Sequence, residues 1–131
     1  MNNPRRVGVI LIVVTAMLIL PGATAASEGG VSHERALVFF NSLCITCKAD
    51  ASKIRAWSER ERGRYTLMGV GFMMSDSESR SFAEGLGWSF PVEGDPNGRI
   101  AASYRVTVPT EIVIIDGRHR TLISYARWGG V

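Results

Sequence analysis

Cys44 and Cys47 are the only cysteines of the chain and stand two residues apart. They follow the apolar run Leu37-Val38-Phe39-Phe40 and open a segment with helical spacing. A cysteine at a strand-to-helix junction meets unpaired backbone N–H groups and the positive end of the helix dipole, both of which stabilise a thiolate. The thiolate is the species that attacks disulfides. Cys-x-x-Cys sites lower the first cysteine's pKa from about 8.5 to as low as about 3.5–7.5. The second cysteine, one turn further on, can resolve a mixed disulfide. The pattern therefore points to thiol–disulfide exchange.

Other uses of the pair fit less well. Zinc needs a second cysteine pair or histidines at ligand spacing, and only His33 and His119 exist. Copper capture by two thiols and a histidine remains an alternative. A purely structural disulfide would close a very small loop and restrict the unfolded chain little.

The elements that must position the pair follow in order. Ala36 to Phe40 is apolar on consecutive positions, the pattern of a strand covered on both faces. Cys44 to Arg62 reads as one helix, with Cys47, Ala51, Ile54 and Trp57 on one face and Gly63 as its stop. Tyr65 to Phe72 reads as a second strand. Ser75 to Gly85 reads as a second helix capped by Ser75 or Ser77. Strand, helix, strand and helix imply a parallel pairing with a right-handed crossover. Asp95-Pro96-Asn97-Gly98 carries turn chemistry, and Ile100 to Tyr104 reads as a short helix. Glu111 to Ile115 and Arg120 to Arg127 form a strand pair around the hairpin signal Asp116-Gly117.

The N-terminal segment reads separately. Arg5 and Arg6 precede an uninterrupted apolar run from Val7 to Leu20, followed by Ala23-Thr24-Ala25. A basic head, an apolar stretch of about 7–15 residues and a small-residue triplet mark a secretory signal peptide. The run is short of the ~20 residues that span a bilayer; an uncleaved signal-anchor is the alternative. Residues 1–25 are thus expected as the signal, 26–35 as a linker and 36–131 as one domain, extracytoplasmic in either case. Of the formal net charge of +3, two units are Arg5 and Arg6. The remainder is close to neutral and has no basic patch interleaved with aromatics, which argues against nucleic acid as a partner.

Val108-Pro109-Thr110, just before an apolar strand, is the second signal. A cis X–Pro bond is rare and usually has a role. Beside a dithiol it would offer backbone to an extended substrate chain. Taken with Cys44-Ile45-Thr46-Cys47, Lys48-Ala49-Asp50, Phe90-Pro91-Val92, Asp95-Pro96-Asn97-Gly98, Tyr104, Val106 and Ile114-Ile115-Asp116-Gly117, the chain resembles the thioredoxin fold over residues 36–127. Within that fold it is similar to extracytoplasmic thiol–disulfide oxidoreductases of the TlpA/ResA type.

The resemblance implies an α/β, three-layer sandwich with a mixed central sheet flanked by helices. It implies that Cys44 attacks, that Cys47 resolves, and that Pro109 is cis and touches dithiol and substrate between Val108 and Thr110. It also implies protein disulfides as substrates, a membrane-bound electron donor as the source of reducing equivalents, and no cofactor or metal. The sequence departs from the family pattern at Leu43, which stands where a tryptophan is usual, and at the dipeptide Ile45-Thr46. Val38 occupies the place of a buried acid, for which Glu111 is a candidate substitute in proton transfer. The family's C-terminal helix is not expected from Trp128-Gly129-Gly130-Val131. A non-catalytic binding or copper-handling module on the same fold is the alternative function.

Overall fold

A computed structural model describes residues 34–125, Trp128 and Val131. The expected signal segment, most of the expected linker including His33, and the residues around Trp128 lie outside the described residues. Five strands form one mixed sheet in the order β3-β2-β1-β4-β5. β1 (Arg35–Phe40) lies at its centre, parallel to β2 (Thr66–Phe72) and antiparallel to β4 (Ile112–Ile115). β3 (Val92–Asp95) and β5 (Thr121–Tyr125) are the edges.

Alternation along β1 explains its unbroken apolar run. Ala36, Val38 and Phe40 point to one face, where they pack with Cys44, Cys47, Ile54, Trp57, Trp88, Ile112, Ile114 and Trp128. Leu37 and Phe39 point to the other face and pack with Val70, Ala101, Val106, Val113 and Ile115. Each large side chain taken out of water contributes about 1.5–3 kcal/mol, and a strand buried on both faces collects this at every position. The helices α1 (Ile45–Ala49), α2 (Ala51–Glu61) and α3 (Asp76–Gly85) supply the first face, while α4 (Arg99–Ser103) supplies the second. The expected three-layer arrangement is the observed one.

The expected single helix from Cys44 to Arg62 is divided. Asp50 takes φ −98° and ψ 10°, outside helical geometry, and closes α1 while opening α2. Aspartate is a weak helix former, and the bonds on either side survive the bend. Asp50 N–H reaches Thr46 O at 2.9 Å, and Ile54 N–H reaches Asp50 O at 3.0 Å. Trp57 is core, 5% exposed.

α3 starts on a capping box. Ser75 Oγ accepts the Glu78 N–H at 3.3 Å, and Glu78 Oε2 accepts the Ser75 N–H at 2.8 Å. α3 sits very close to the sheet. A side chain at Gly71 would collide with Ser79, and one at Gly94 would collide with the backbone of Ser75 and Asp76. At the last residue of β3 the buried Asp95 carboxylate accepts the N–H groups of Ile100 at 3.1 Å and Ala101 at 2.9 Å, fixing α4 to the strand end. The hairpin between β4 and β5 runs over residues 116–120. There Asp116 Oδ1 accepts from Arg118 and Arg120 N–H at 2.9 Å each.

Candidate functional site: a dithiol at the end of the central strand

β1 delivers the chain to the site, and a short turn makes the connection. Cys44 is the N-cap of α1, with an extended backbone at φ −74° and ψ 104°. Its Sγ accepts the Cys47 N–H at 3.0 Å. In the reduced state the same N–H is placed to stabilise a thiolate on Cys44. The two cysteines form a disulfide, with Cα atoms 5.2 Å apart. Cys47 is fully buried and Cys44 is 9% exposed, so an incoming sulfur finds Cys44 first.

Pro109 approaches from 65 residues downstream. Its carbonyl oxygen lies 3.0 Å from Cys47 Sγ and 3.5 Å from Cys44 Sγ. In the reduced state a thiol there can donate to that oxygen. The expected cis bond is not found: no cis peptide occurs among the described residues, and Val108–Pro109 is trans. Trans is the lower isomer by about 0.5–1 kcal/mol, and the trans chain already brings the Pro109 carbonyl onto both sulfurs.

Leu43 and Ile45 flank Cys44, Val108 precedes Pro109, and Met73 follows the Phe72 that accepts from Asn41; all four are exposed among polar neighbours such as Ser42, Thr46 and Lys48. Leu43 is 87% exposed, Ile45 83%, Met73 59% and Val108 44%. They come from the turn before Cys44, the first residue of α1, the loop after β2 and the loop before β4. Isolated exposed apolar residues are ordinary; a group collected around one disulfide marks a contact surface.

No family profile and no curated protein matches the chain. Solved structures do match. StoA from Bacillus subtilis superposes with a TM-score of 0.59 at 16% identity, over 72% of this chain and 73% of its own. A secreted Mycobacterium tuberculosis disulfide oxidoreductase homologous to E. coli DsbE superposes at 0.61 and 18% identity, over 74% and 70%. A thioredoxin-like protein from Aeropyrum pernix superposes at 0.58 and 18% identity, over 71% and 68%. This chain has the thioredoxin fold. Its Cys-x-x-Cys pair lies at disulfide distance at the end of the fold's central strand.

On this thioredoxin fold the structure brings Cys44, Cys47 and the Pro109 carbonyl together, with Val108 and Thr110 adjoining Pro109 in the chain. The expectation that Glu111 serves the dithiol finds no support in its placement. Glu111 O accepts the Phe39 N–H at 2.9 Å, so this residue continues the β4 pairing. Ile112 faces the cysteines, and strand alternation therefore turns Glu111 to the opposite face. There its side chain lines a cavity of about 390 Å³ with Ser103, Tyr104, Arg105, Thr121 and Ser124. Burial pushes the Glu111 carboxyl pKa up. The polar neighbours of the sulfurs are the Cys47 N–H and the Pro109 carbonyl instead.

Asn41 was not singled out by sequence reasoning. The signal available was an asparagine directly ahead of Ser42-Leu43-Cys44, a residue type that builds turns through its side chain. The exposure of Leu43 and Ile45 was equally hidden, because apolar residues next to an apolar strand read as core.

Proposed function

We propose that this protein is an exported thiol–disulfide oxidoreductase that reduces disulfides of other exported proteins. The carrying observation is the Cys44–Cys47 pair, with the Cys47 N–H 3.0 Å from Cys44 Sγ and the exposed Leu43 and Ile45 flanking Cys44. The similarity to a secreted disulfide oxidoreductase supports the same reading.

The Cys44 thiolate attacks one sulfur of the substrate disulfide. A mixed disulfide forms and the first substrate thiolate leaves. The Cys47 thiolate then attacks Cys44 Sγ and releases the second substrate thiolate. Two electrons have passed to the substrate, and the Cys44–Cys47 disulfide remains. A membrane-bound dithiol donor returns the two electrons by the reverse exchange. The Pro109 carbonyl holds the thiols in register between these steps, and Val108 and Thr110 border the substrate path. Export rests on the basic and apolar N-terminal segment ending at Ala23-Thr24-Ala25.

The test is equilibration of the protein with glutathione redox buffers. A potential near those of reducing dithiols supports the reducing direction, since about 30 mV corresponds to a tenfold change in equilibrium. A strongly oxidising value reverses the direction, and absence of Cys44-dependent exchange with a model disulfide overturns the activity.

A further inference from the structure

The turn between β1 and α1 is held by one side chain. Asn41 Nδ2 donates to Phe72 O at 2.7 Å, across to the last residue of β2. Asn41 Oδ1 accepts the Leu43 N–H at 2.8 Å. The backbone carbonyl of the same residue accepts the Cys44 N–H at 3.0 Å. Three bonds from one residue thus fix the approach to Cys44, and a fourth, Cys47 N–H to Cys44 Sγ, closes the next turn.

The far anchor is itself braced. Phe72 precedes Met73, which has φ 56° and donates its N–H to Asp95 O at 2.9 Å. The Asn41 amide therefore joins the turn bearing Leu43 to the loop bearing Met73. Both of these side chains are exposed.

We propose that Asn41 is a positioning residue for the dithiol. It acts through Cys44: it holds the turn in the geometry that presents Sγ to the Cys47 N–H, and it keeps that turn and the Met73 loop together. Its role in exchange rests on the oxidoreductase reading above; its effect on the Cys44 thiol does not. The residue type fits the task. An amide offers a donor and an acceptor at once, whereas a carboxylate lacks the donor, a serine hydroxyl is too short to span both partners, and alanine offers neither.

The test reads the thiol directly. In reduced protein carrying Cys47→Ala, which leaves that backbone N–H in place, alkylation of Cys44 by iodoacetamide is followed against pH. Asn41→Ala raises the Cys44 pKa by up to about one unit, so that alkylation at pH 7 slows by about 3- to 10-fold. Asn41→Ser keeps an acceptor for the Leu43 N–H and recovers part of the loss. Both are measured well below the thermal midpoint of each variant. If Asn41→Ala does not fold, Asn41→Ser alone decides: a raised pKa supports the assignment and an unmoved one overturns it. A profile unchanged in Asn41→Ala, or changed only as far as the unfolded fraction by circular dichroism explains, also overturns it. Exchange with a model disulfide is measured in parallel on the intact dithiol. Wild-type protein without exchange refutes the oxidoreductase reading, while the alkylation profile still scores Asn41.

Discussion

The two faces of the sheet are built from different materials. One carries both cysteines and all three tryptophans, with Phe40, Tyr65 and Phe90 between them. Phe40 stacks on Phe82 and meets Trp88 edge-on, and Trp88 in turn packs on Phe90 and Trp128. The other face is mainly aliphatic, closed by the short helix α4. Large planar side chains have few rotatable bonds and fixed packing geometries. The face behind the disulfide is therefore the stiffer support. Trp88 adds a polar tie to it: its Nε1–H donates to Ala51 O at 3.1 Å, at the start of α2. The same sheet thus separates holding the dithiol from completing the core, and perturbations of the two faces should have different readouts.

The largest effect belongs to the cysteines. Cys44→Ser should bring exchange down to background, a loss on the order of 10³-fold or more, as measured with a model disulfide. Cys47→Ala should instead accumulate a mixed disulfide through Cys44, visible by non-reducing electrophoresis. Next come paired core truncations. Trp88→Ala should destabilise by about 3–5 kcal/mol and Ile115→Ala by about 2–5 kcal/mol in urea unfolding. Only the tryptophan variant should also move the dithiol's potential. An equal shift from Ile115→Ala would remove the distinction between the faces.

A smaller change is expected at the joint to α4. Asp95→Ala leaves two helix N–H groups unpaired and should cost about 1–3 kcal/mol, with little effect on exchange.

The smallest effects are in pH dependence, and they have opposite signs. Burial raises the Glu111 pKa, so the folded protein binds the proton more tightly than the unfolded chain. Stability then falls as pH rises from the ordinary carboxylate range to the raised value. Glu111→Gln should gain stability over wild type across that interval and hold the gain above it. Hydrogen bonds from the Ser75 backbone N–H and then its hydroxyl lower the Glu78 pKa. Its contribution is present above the ordinary range and is lost as pH falls through the lowered value. Glu78→Gln should flatten that acid limb. Thermal midpoints measured between pH 3 and 7 check both.

Much of this molecule was legible in its residues. The unbroken run Ala36-Leu37-Val38-Phe39-Phe40 read as a doubly covered strand because burial on both faces removes alternation. Ser75, one of two candidate caps with Ser77, announced a helix start through backbone capping, a local interaction. Cys44 and Cys47 stand out because the chemistry of a dithiol is a property of residue type. What failed depended on geometry set at a distance. The bend at Asp50 is one residue's departure inside an otherwise consistent helical pattern. The face of Glu111 followed only from its register against β1, which a sequence does not display. The Val108–Pro109 isomer depends on how the loop closes onto the sulfurs. Asn41 required knowing that Phe72, at the end of another strand, comes within reach of its amide.

The glycines beneath α3 carry a mechanical consequence. At Gly71 and Gly94 the helix start and the strands are in near-backbone contact, and Asp76 Oδ1 accepts the Gly94 N–H at 2.6 Å. Parts in such contact have no lubricating layer of side chains and cannot slide past one another. α3, β2 and β3 therefore behave as an anvil. The opposite edge is built differently: Thr121, Leu122, Ile123 and Ser124 of β5 remain exposed.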